Sequence, residues 1–359
     1  MENAKNADVN NNTKRKIMIK KVLVGISGGV DSAVTAFLLK QQGYDVTAAF
    51  LYMNELSNTA LEDAKDVAKD LEINFVVIDA TEKFKEIIIS NFVSTYLKGN
   101  TPNPCIICNP NIKFKYLYDY LIQNNFDYIA TGHYSKVNCE NNRFFIEKLE
   151  DKKDQSYMLY RLTQSQLSKL MLPLGNYKKE EVRNIAKNNN IKVFSKADSQ
   201  DNCFFNGKYT DYLINKCNVI VKPGDFVLEE TNEKIGTHKG IIYYTVGQRK
   251  GLGVSYRAPL FVKKIDQKTN TVFLSTDFKK NSDIIELYDV VYQKQEKFID
   301  NQEVYVKTRY SALATKAVII TDKTSLNIRL FEKTSAITPG QSAVIYDDVG
   351  NVLGGGIIK

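Results

Sequence analysis

The chain has 359 residues, a length typical of two or three domains. Hydrophobic residues make up 43% of it, and no segment approaches the roughly 20 consecutive apolar residues of a membrane helix, so we expect no membrane partner. The formal net charge of +8 is compatible with a polyanionic partner such as RNA, and equally with a solvated lysine-rich surface. The five cysteines lack regular spacing and favour a cytoplasmic chain with working thiols.

The first half of the chain alternates strand and helix patterns. Residues 1–16 are polar and Asn-rich, which predicts a disordered tail. The predicted strands that follow are residues 21–26, 46–51, 74–78 and 128–131. The predicted helices are residues 32–42, 58–71, 81–97, 114–124, 156–169 and 178–188. This alternation predicts an α/β doubly wound parallel sheet, in which ligands bind beyond the carboxyl ends of the strands.

Residues 25–32, Gly-Ile-Ser-Gly-Gly-Val-Asp-Ser, form a loop between the first strand and the first helix. Gly28 and Gly29 allow the backbone to approach an anion closely, and the helix N-terminus adds positive potential. A Lys-Ser/Thr pair does not follow the glycines, so this is not a Walker A loop. The pattern predicts a phosphate site; the alternative is an ordinary glycine turn between strand and helix.

Three cysteines lie in unusual surroundings. Cys105 and Cys108 have C-x-x-C spacing within residues 101–110, where three prolines are expected to forbid a regular helix and stiffen a loop. Cys203 lies in the polar segment 196–204, which suits a reactive and partly exposed thiol. Cys217 follows a helical pattern and is expected to pack in a core.

Short β-rich runs and glycine turns dominate the chain from about residue 223 onward. The predicted strands are residues 227–228, 260–264, 271–274, 304–306, 316–320, 326–330 and 342–346. These short strands and turns predict two small, barrel-like β domains with a break near residues 284–296. The predicted domains are therefore 17–205 for the α/β unit that carries the predicted phosphate site, 206–290 for a central β-rich unit, and 291–359 for a C-terminal β-barrel.

The loop resembles the signature Ser-Gly-Gly-x-Asp-Ser of the PP-loop ATP pyrophosphatases, whose fold is Rossmann-like. Further motifs follow in a fixed order, and together they resemble the bacterial tRNA-specific 2-thiouridylases. These motifs are Thr-Pro-Asn-Pro at 101–104, Ala-Thr-Gly-His-Tyr at 130–134, Lys-Asp-Gln-Ser-Tyr at 153–157, Asp-Ser-Gln at 198–200, Gly-Gln-Arg-Lys-Gly-Leu-Gly at 247–253, Arg-Tyr at 309–310, Thr-Pro-Gly-Gln at 338–341 and Gly-Gly-Gly at 354–356.

The resemblance implies ATP-dependent 2-thiolation of the wobble uridine of tRNA, with ATP and Mg²⁺ as cofactors. The partners it implies are tRNA and a sulfur donor, such as a cysteine desulfurase or a sulfur-relay protein. The implied ATP-binding residues are Gly25, Ile26, Ser27, Gly28, Gly29, Val30, Asp31, Ser32, Leu51 and Gly132. The implied tRNA-binding residues are Asn103, Pro104, Cys105, Lys153, Asp154, Gln155, Arg309 and Tyr310.

The same resemblance assigns the sulfur chemistry to the three cysteines. Cys108 matches the nucleophile and Cys203 the carrier of persulfide sulfur, whereas Cys105 stands where many members have Asp. Cys105, Cys108 and Cys203 could instead be ligands of a 4Fe-4S cluster that carries a sulfide, and zinc is a third option. The persulfide and cluster routes both stay open at this point.

Two other functions compete with thiolation. One is a non-catalytic tRNA-binding protein of the PP-loop class, and the other is a different adenylating enzyme of that superfamily. The intact loop and the retained Cys108 and Cys203 favour a catalyst. Among the remaining residues, His133 is expected to contact nucleotide, move a proton or serve only structure. His238 is expected to be structural, and Arg249 and Lys250 to grip RNA phosphate or merely lie in a basic turn.

Overall fold

The protein is described here by a computed structural model that covers residues 19–195, 202–277, 283–321, 326–332 and 337–359. The predicted N-terminal tail through residue 16 and the motif Asp-Ser-Gln at 198–200 lie outside these ranges. Within these ranges, every helix is too short or too polar to cross a membrane.

A five-stranded parallel sheet forms the first unit, in the order β3-β2-β1-β4-β7. Its strands, together with the hairpin β5–β6 that branches from it, are β1 (Lys21–Gly25), β2 (Asp45–Tyr52), β3 (Asn74–Asp79), β4 (Tyr128–Ala130), β5 (Lys136–Glu140), β6 (Arg143–Glu147) and β7 (Leu170–Met171). The predicted doubly wound sheet is confirmed. Alternating apolar strands and amphipathic helices predict this sheet, and its central strands β1, β2 and β4 are buried in the cores that the helices cover.

The helices of the first unit connect and cover these strands. They are α1 (Val30–Gln41), α2 (Asn58–Asp70), α3 (Thr81–Lys83), α4 (Ser90–Leu97), α5 (Pro104–Cys108), α6 (Phe114–Gln123), α7 (Ser156–Leu159), α8 (Gln164–Leu167), α9 (Lys179–Asn188) and α10 (Tyr209–Asn215). A π-helical segment, Phe84–Ile89, joins α3 to α4, and a second, Asn109–Lys113, joins α5 to α6. Short 3₁₀ turns lie at Glu55–Ser57, Pro173–Asn176, Lys192–Ser195 and Ile241–Tyr243.

The helix predicted over residues 156–169 is divided into α7 and α8. Thr163 caps the second helix, since its hydroxyl accepts the Gln166 backbone N–H at 3.2 Å. The Gln166 side chain in turn accepts the Thr163 N–H at 3.0 Å. This reciprocal capping box starts a new helix where a continuous one was expected.

Two β units follow the first. The central sheet has the order β10-β11-β8-β9 and consists of β8 (Gly224–Leu228), β9 (Glu233–His238), β10 (Phe261–Asp266) and β11 (Thr271–Ser275). A closed barrel has the order β12-β15-β14-β13-β16-β17 and consists of β12 (Ile284–Tyr292), β13 (Glu303–Lys307), β14 (Thr315–Thr321), β15 (Leu326–Leu330), β16 (Ser342–Tyr346) and β17 (Val352–Ile358). The predicted β-rich second half with a barrel is confirmed.

The break expected near residues 284–296 is instead mostly strand β12, which pairs with β15 and β17 of the barrel. Its buried Ile285 and Leu287 alternate with exposed residues such as Glu286, which is the pattern of a half-buried strand. The predicted boundary after residue 290 therefore falls inside a barrel strand. We propose that the C-terminal unit begins before Ile284.

The barrel is packed against the first unit through α7. The Tyr157 hydroxyl donates to the Ser342 carbonyl at 2.9 Å, and the hydroxyls of Tyr160 and Ser342 are 2.9 Å apart. Tyr157 and Tyr160 are fully buried and share one hydrophobic core with Val344 and other barrel residues. The two units are therefore joined by a continuous core and not by a flexible contact.

Candidate functional site

The loop between β1 and α1 has a geometry suited to phosphate. Gly28 has φ of +70°, and a Cβ there would lie 2.6 Å from the Ala60 carbonyl oxygen, so only glycine fits. The Ser32 hydroxyl accepts the Ser27 N–H and donates to the Gly29 carbonyl, each at 3.1 Å. These bonds hold the loop closed at the N-terminus of α1, where backbone N–H groups and the helix dipole favour an anion.

The carboxylate of Asp31 is the centre of a small network. Lys179 donates to both of its oxygens at 2.7 Å, and the Tyr134 hydroxyl donates to Oδ1 at 2.7 Å. The Lys179 side chain is only 13% exposed, so this ion pair is shielded from solvent. The sequence alone predicts no role for Lys179 or Tyr134. Both residues are far from Asp31 along the chain, so no local pattern indicates that they contact it.

Two further residues predicted to bind ATP lie around this loop. Gly132 is pressed against α1, since a Cβ there would lie 2.8 Å from the Asp31 carbonyl carbon and 2.9 Å from the Ser32 nitrogen. Leu51 is buried near the carboxyl end of β2, in the same core as Ile106 of α5. It therefore lies between the strands that carry the loop and the helix that carries the cysteines.

The cysteine segment is helical, so the expected non-helical loop is wrong. Pro104 is the first residue of α5, where a helix does not need a backbone N–H. Pro110 lies in the π-helical segment Asn109–Lys113, in which the wider turn accommodates its missing donor. Cys105 and Cys108 are consequently one helical turn apart, with Cys105 exposed and Cys108 buried.

The fold brings Cys203 to this helix. Phe204, the next residue, is buried and packs edge-on against Phe84 and Phe92, in the same core as Cys108. The Asn54 side chain donates to the Cys203 carbonyl at 3.2 Å and fixes it near the carboxyl end of β2. Cys203 is an exposed residue, and its thiol is close enough to the buried Cys108 to influence the pKa of that thiol.

The three thiols influence one another electrostatically. Burial raises the pKa of Cys108 to about 12, with smaller contributions from Cys203 and Cys105, while the nearby Lys113 opposes the shift. Cys108 is therefore a protonated thiol at neutral pH in this arrangement. Within the described ranges, no three His, Cys, Asp or Glu residues are grouped closely enough to hold a single metal ion. The persulfide and cluster routes both stay predictions.

His133 follows β4 and lies near Lys113, the last residue of the π-helical segment after the cysteine helix. Its Nδ1 is 2.8 Å from the Thr131 hydroxyl, and its ring contacts Phe114 with 5.6 Å between centroids. Desolvation, and then Lys113, hold the pKa of His133 well below its usual range, so the ring is neutral. His238, in contrast, is buried between Asn270 and Gly240 of the central unit, in the structural role expected for it.

The residues predicted to contact tRNA divide into exposed and internal groups. Lys153 is exposed, but Asp154 is 5% exposed and accepts three hydrogen bonds from Leu149 and Ser156, so its carboxylate faces the protein. Gln155 accepts the Tyr134 N–H at 2.9 Å and thereby supports the Asp31 network. On α5, Pro104 is buried and Asn103 is its partly exposed cap.

Arg309 and Tyr310 lie where the units meet. Arg309 Nη2 donates to the Thr338 hydroxyl and to the Val246 carbonyl, and its Nε is buried with no partner in the described part of the chain. The Tyr310 ring packs against Tyr157, and Lys307 Nζ lies 5.8 Å from the Tyr310 ring centre. Arg309 therefore links the barrel to the central unit, whereas Tyr310 is half-buried with one side towards solvent.

The basic turn at 247–253 borders a cavity of about 450 Å³ in the central unit. Arg249 and Arg257 line this cavity with Tyr256, and the Arg249 guanidinium lies 5.8 Å from the Phe261 ring centre. The predicted phosphate contact of Arg249 and Lys250 stays a prediction.

Three family models match the chain in succession. They are the tRNA methyl transferase HUP domain over residues 20–207, the tRNA methyl transferase PRC-barrel domain over 212–276, and the aminomethyltransferase beta-barrel domain over 282–358. Among solved structures, the U34-tRNA thiolase NcsA from Methanococcus maripaludis with its 4Fe-4S cluster aligns at 20% identity and a TM-score of 0.37, covering 51% of this chain and 61% of that one. That likeness is too weak to bear on the site.

Curated relatives match almost the whole chain. The tRNA-specific 2-thiouridylase MnmA 2 of Clostridium tetani is 43% identical over 362 residues, covering 96% of this chain and 99% of that protein. The tRNA-specific 2-thiouridylase MnmA of Clostridium acetobutylicum is 43% identical over 358 residues, covering 95% of this chain and 100% of that protein. The resemblance found in the motifs is thus confirmed, and the chain belongs to the MnmA family of tRNA-specific 2-thiouridylases.

Proposed function

We propose that this protein uses ATP to replace the C2 oxygen of the wobble uridine of tRNA by sulfur, with release of AMP and pyrophosphate. Besides membership of this family, one structural observation supports the proposal. The phosphate loop and the three cysteines lie beyond the carboxyl ends of neighbouring strands, since Cys108 and Phe204 share a core with Met53 and Ala80, which follow β2 and β3. All five cysteines are free thiols, which supports a cytoplasmic location.

The loop at 25–32 would hold the phosphates of ATP. The ion pair of Asp31 and Lys179 would provide fixed charges beside these phosphates. Mg²⁺ would be bound chiefly by phosphate oxygens and water, as is usual for this ion, and would neutralise phosphate charge. The C2 oxygen of uracil is a poor leaving group. It attacks the α-phosphorus of ATP, pyrophosphate leaves, and the resulting adenylate can be displaced.

Sulfur transfer then uses Cys203 and Cys108. The terminal sulfur of a persulfide on Cys203 attacks C2, and AMP leaves with the original oxygen. The Cys108 thiolate attacks the Cys203 sulfur, which breaks the bond to the transferred sulfur and leaves 2-thiouridine with a Cys108–Cys203 disulfide. External thiols reduce this disulfide, and a cysteine desulfurase or a sulfur-relay protein restores the persulfide.

The reaction needs Cys108 as a thiolate, although burial keeps it protonated here. The nearby Lys113 favours the thiolate form of Cys108. We infer that docking of tRNA changes the surroundings of Cys108 enough to release its proton. The buried thiol would thereby be protected from oxidation until substrate is present.

The direct test is an assay with purified protein, unmodified tRNA, ATP, Mg²⁺ and a persulfide donor. We expect 2-thiouridine at the wobble position by nucleoside mass spectrometry, and AMP and pyrophosphate only when tRNA is present. Binding of tRNA without either product would indicate a non-catalytic protein. Pyrophosphate release that is independent of tRNA would indicate a different adenylating enzyme.

The Asp31–Lys179 pair provides a test of the ATP site. Lys179→Met and Asp31→Asn should each lower the rate of tRNA-dependent pyrophosphate release by roughly 100-fold, the order expected on losing one preorganised charge. Lys192→Met is the matched control, because Lys192 pairs with Asp70 and is exposed. Unchanged pyrophosphate release in Lys179→Met would contradict a role for this pair.

Single replacements distinguish the two sulfur routes. Cys108→Ala and Cys203→Ala should abolish thiolation, whereas Cys105→Ala and Cys105→Asp should retain it in iron-free protein supplied with a persulfide donor. Cys139→Ala is the control, since Cys139 is exposed on the hairpin β5–β6. Two results together would overturn the persulfide route: thiolation that needs iron in every turnover, and loss of both iron and thiolation in Cys105→Ala.

The raised pKa of Cys108 predicts a distinctive pH profile. Because alkylating reagents react with the thiolate, the alkylation rate of Cys108 in the free folded protein should rise about tenfold per pH unit through the neutral range. It should approach a plateau only near pH 12. In denatured protein the plateau should come near an ordinary thiol pKa of about 8.5. Peptide mass spectrometry measures both rates, and coincident profiles would refute the burial of this thiol.

A further inference from the structure

A loop of the barrel holds the segment that leads into the cysteine helix. We call residues 338–341 the barrel loop and residues 100–103 the proline strap. The Thr101 N–H donates to the Pro339 carbonyl at 3.0 Å. The Gln341 side-chain amide donates to the Thr101 carbonyl at 2.9 Å and to the Pro102 carbonyl at 3.3 Å. One glutamine therefore orients two consecutive peptide groups of the strap.

The contact between the strap and the barrel loop is close. Gly340 has φ of +88°, and a Cβ there would lie 2.9 Å from the Thr101 carbonyl oxygen and 3.0 Å from the Asn100 Cβ. A side chain at this position would be strained by its backbone conformation and would push the strap away. The bare backbone of Gly340 is what allows Gln341 to reach both carbonyls.

The barrel loop is itself fixed from two directions. The Gly340 N–H donates to the Ile358 carbonyl at 2.9 Å, and the Ile358 N–H donates to the Gln341 carbonyl at 2.8 Å, which ties the loop to β17. Arg309 ties Thr338 to the Val246 carbonyl of the central unit. The strap thus rests on a support to which the barrel and the central unit both contribute.

The strap determines where the cysteine helix begins. It ends at Asn103, directly before Pro104 opens α5, and the prolines on both sides of Asn103 restrict its backbone. At the far end, the Asn109 side chain donates to the Met158 carbonyl at 2.8 Å. A helix of five residues held at both ends in this way moves when either support moves.

We propose that the barrel loop positions the cysteine helix for sulfur transfer, with Gln341 as the positioning residue. The inference rests on the proposed function, because sulfur transfer is the step it controls. The Asp31 carboxylate of the proposed ATP site accepts from Lys179 and Tyr134, which lie outside both the strap and the barrel loop. We therefore expect replacement of Gln341 to lower sulfur transfer more than adenylation.

The test compares Gln341→Ala and Gln341→Glu with the control Gln302→Ala, a barrel glutamine whose side chain bonds Gln295. Pyrophosphate and 2-thiouridine are measured in the same reactions. In both Gln341 variants we expect pyrophosphate release within about twofold of wild type and thiolation lowered by roughly 10- to 100-fold, the scale of a small misplacement of reacting groups. Gln341→Glu should be the worse variant, because its carboxylate faces two carbonyl oxygens. The control should behave as wild type.

A second readout does not depend on activity. If Gln341 holds α5 in place, its replacement should speed alkylation of the buried Cys108 in free protein by about tenfold or more, as expected when local opening exposes a protected thiol. Gly340→Ala should act in the same direction, since it displaces the strap.

Three outcomes would overturn the positioning role. They are equal losses of pyrophosphate release and thiolation with a lower melting temperature, unchanged thiolation in both Gln341 variants, and alkylation of Cys108 that matches the Gln302→Ala control. Wild-type protein that fails to thiolate tRNA would instead overturn the proposed function, and the alkylation rates would still decide the role of Gln341.

Discussion

The path of residues 100–109 is the constraint on which the sulfur chemistry depends. Gln341 and Pro339 of the barrel hold its beginning, Met158 of α7 holds its end through Asn109, and the core around Ile106 and Cys108 holds its middle. In the proposed mechanism, two thiols that lie far apart in sequence must meet, because Cys108 attacks the Cys203 sulfur once the transferred sulfur is bound to C2. Fixing one of them at three points reduces the motion that would otherwise separate the reacting groups.

The ATP site depends on the same architecture through a different connection. The loop after β4 brings Gly132 against α1 and directs the Tyr134 hydroxyl to Asp31, while Gln155 holds the Tyr134 backbone. Gln155 lies two residues from the exposed Lys153, on the side where tRNA is expected. A substrate that contacts this surface could therefore shift Gln155 and, through it, Tyr134, which bonds Asp31 of the phosphate loop.

Local patterns made a large part of this structure predictable. The phosphate loop was recognisable because its function needs glycines at a fixed place between a strand and a helix, as Gly28 shows. The parallel sheet followed from alternating strands and helices. The helix at Pro104 was not expected, because three prolines within residues 101–110 normally interrupt a helix; only their placement at the first turn and in a π-helical segment permits it.

The remaining features depend on contacts between distant residues. Gln341 and Thr101 are 240 positions apart, and Lys179 and Asp31 are 148 apart, so no local spacing could pair them. Asp154 resembled an RNA contact by its motif, yet its three hydrogen bonds turn it inward. Sequence patterns locate a site by its chemistry, but burial and the partner of each polar group are decided by the tertiary fold.

The central proposal is that ATP activates the C2 oxygen of the target uridine before sulfur attacks C2. It is tested most directly with tRNA carrying ¹⁸O at C2 of the wobble uridine, incubated with protein, ATP and a persulfide donor. We predict that the label appears in the phosphate of AMP in the same amount as 2-thiouridine is formed. Thiolation with the label in water or in pyrophosphate, and none in AMP, would contradict the account.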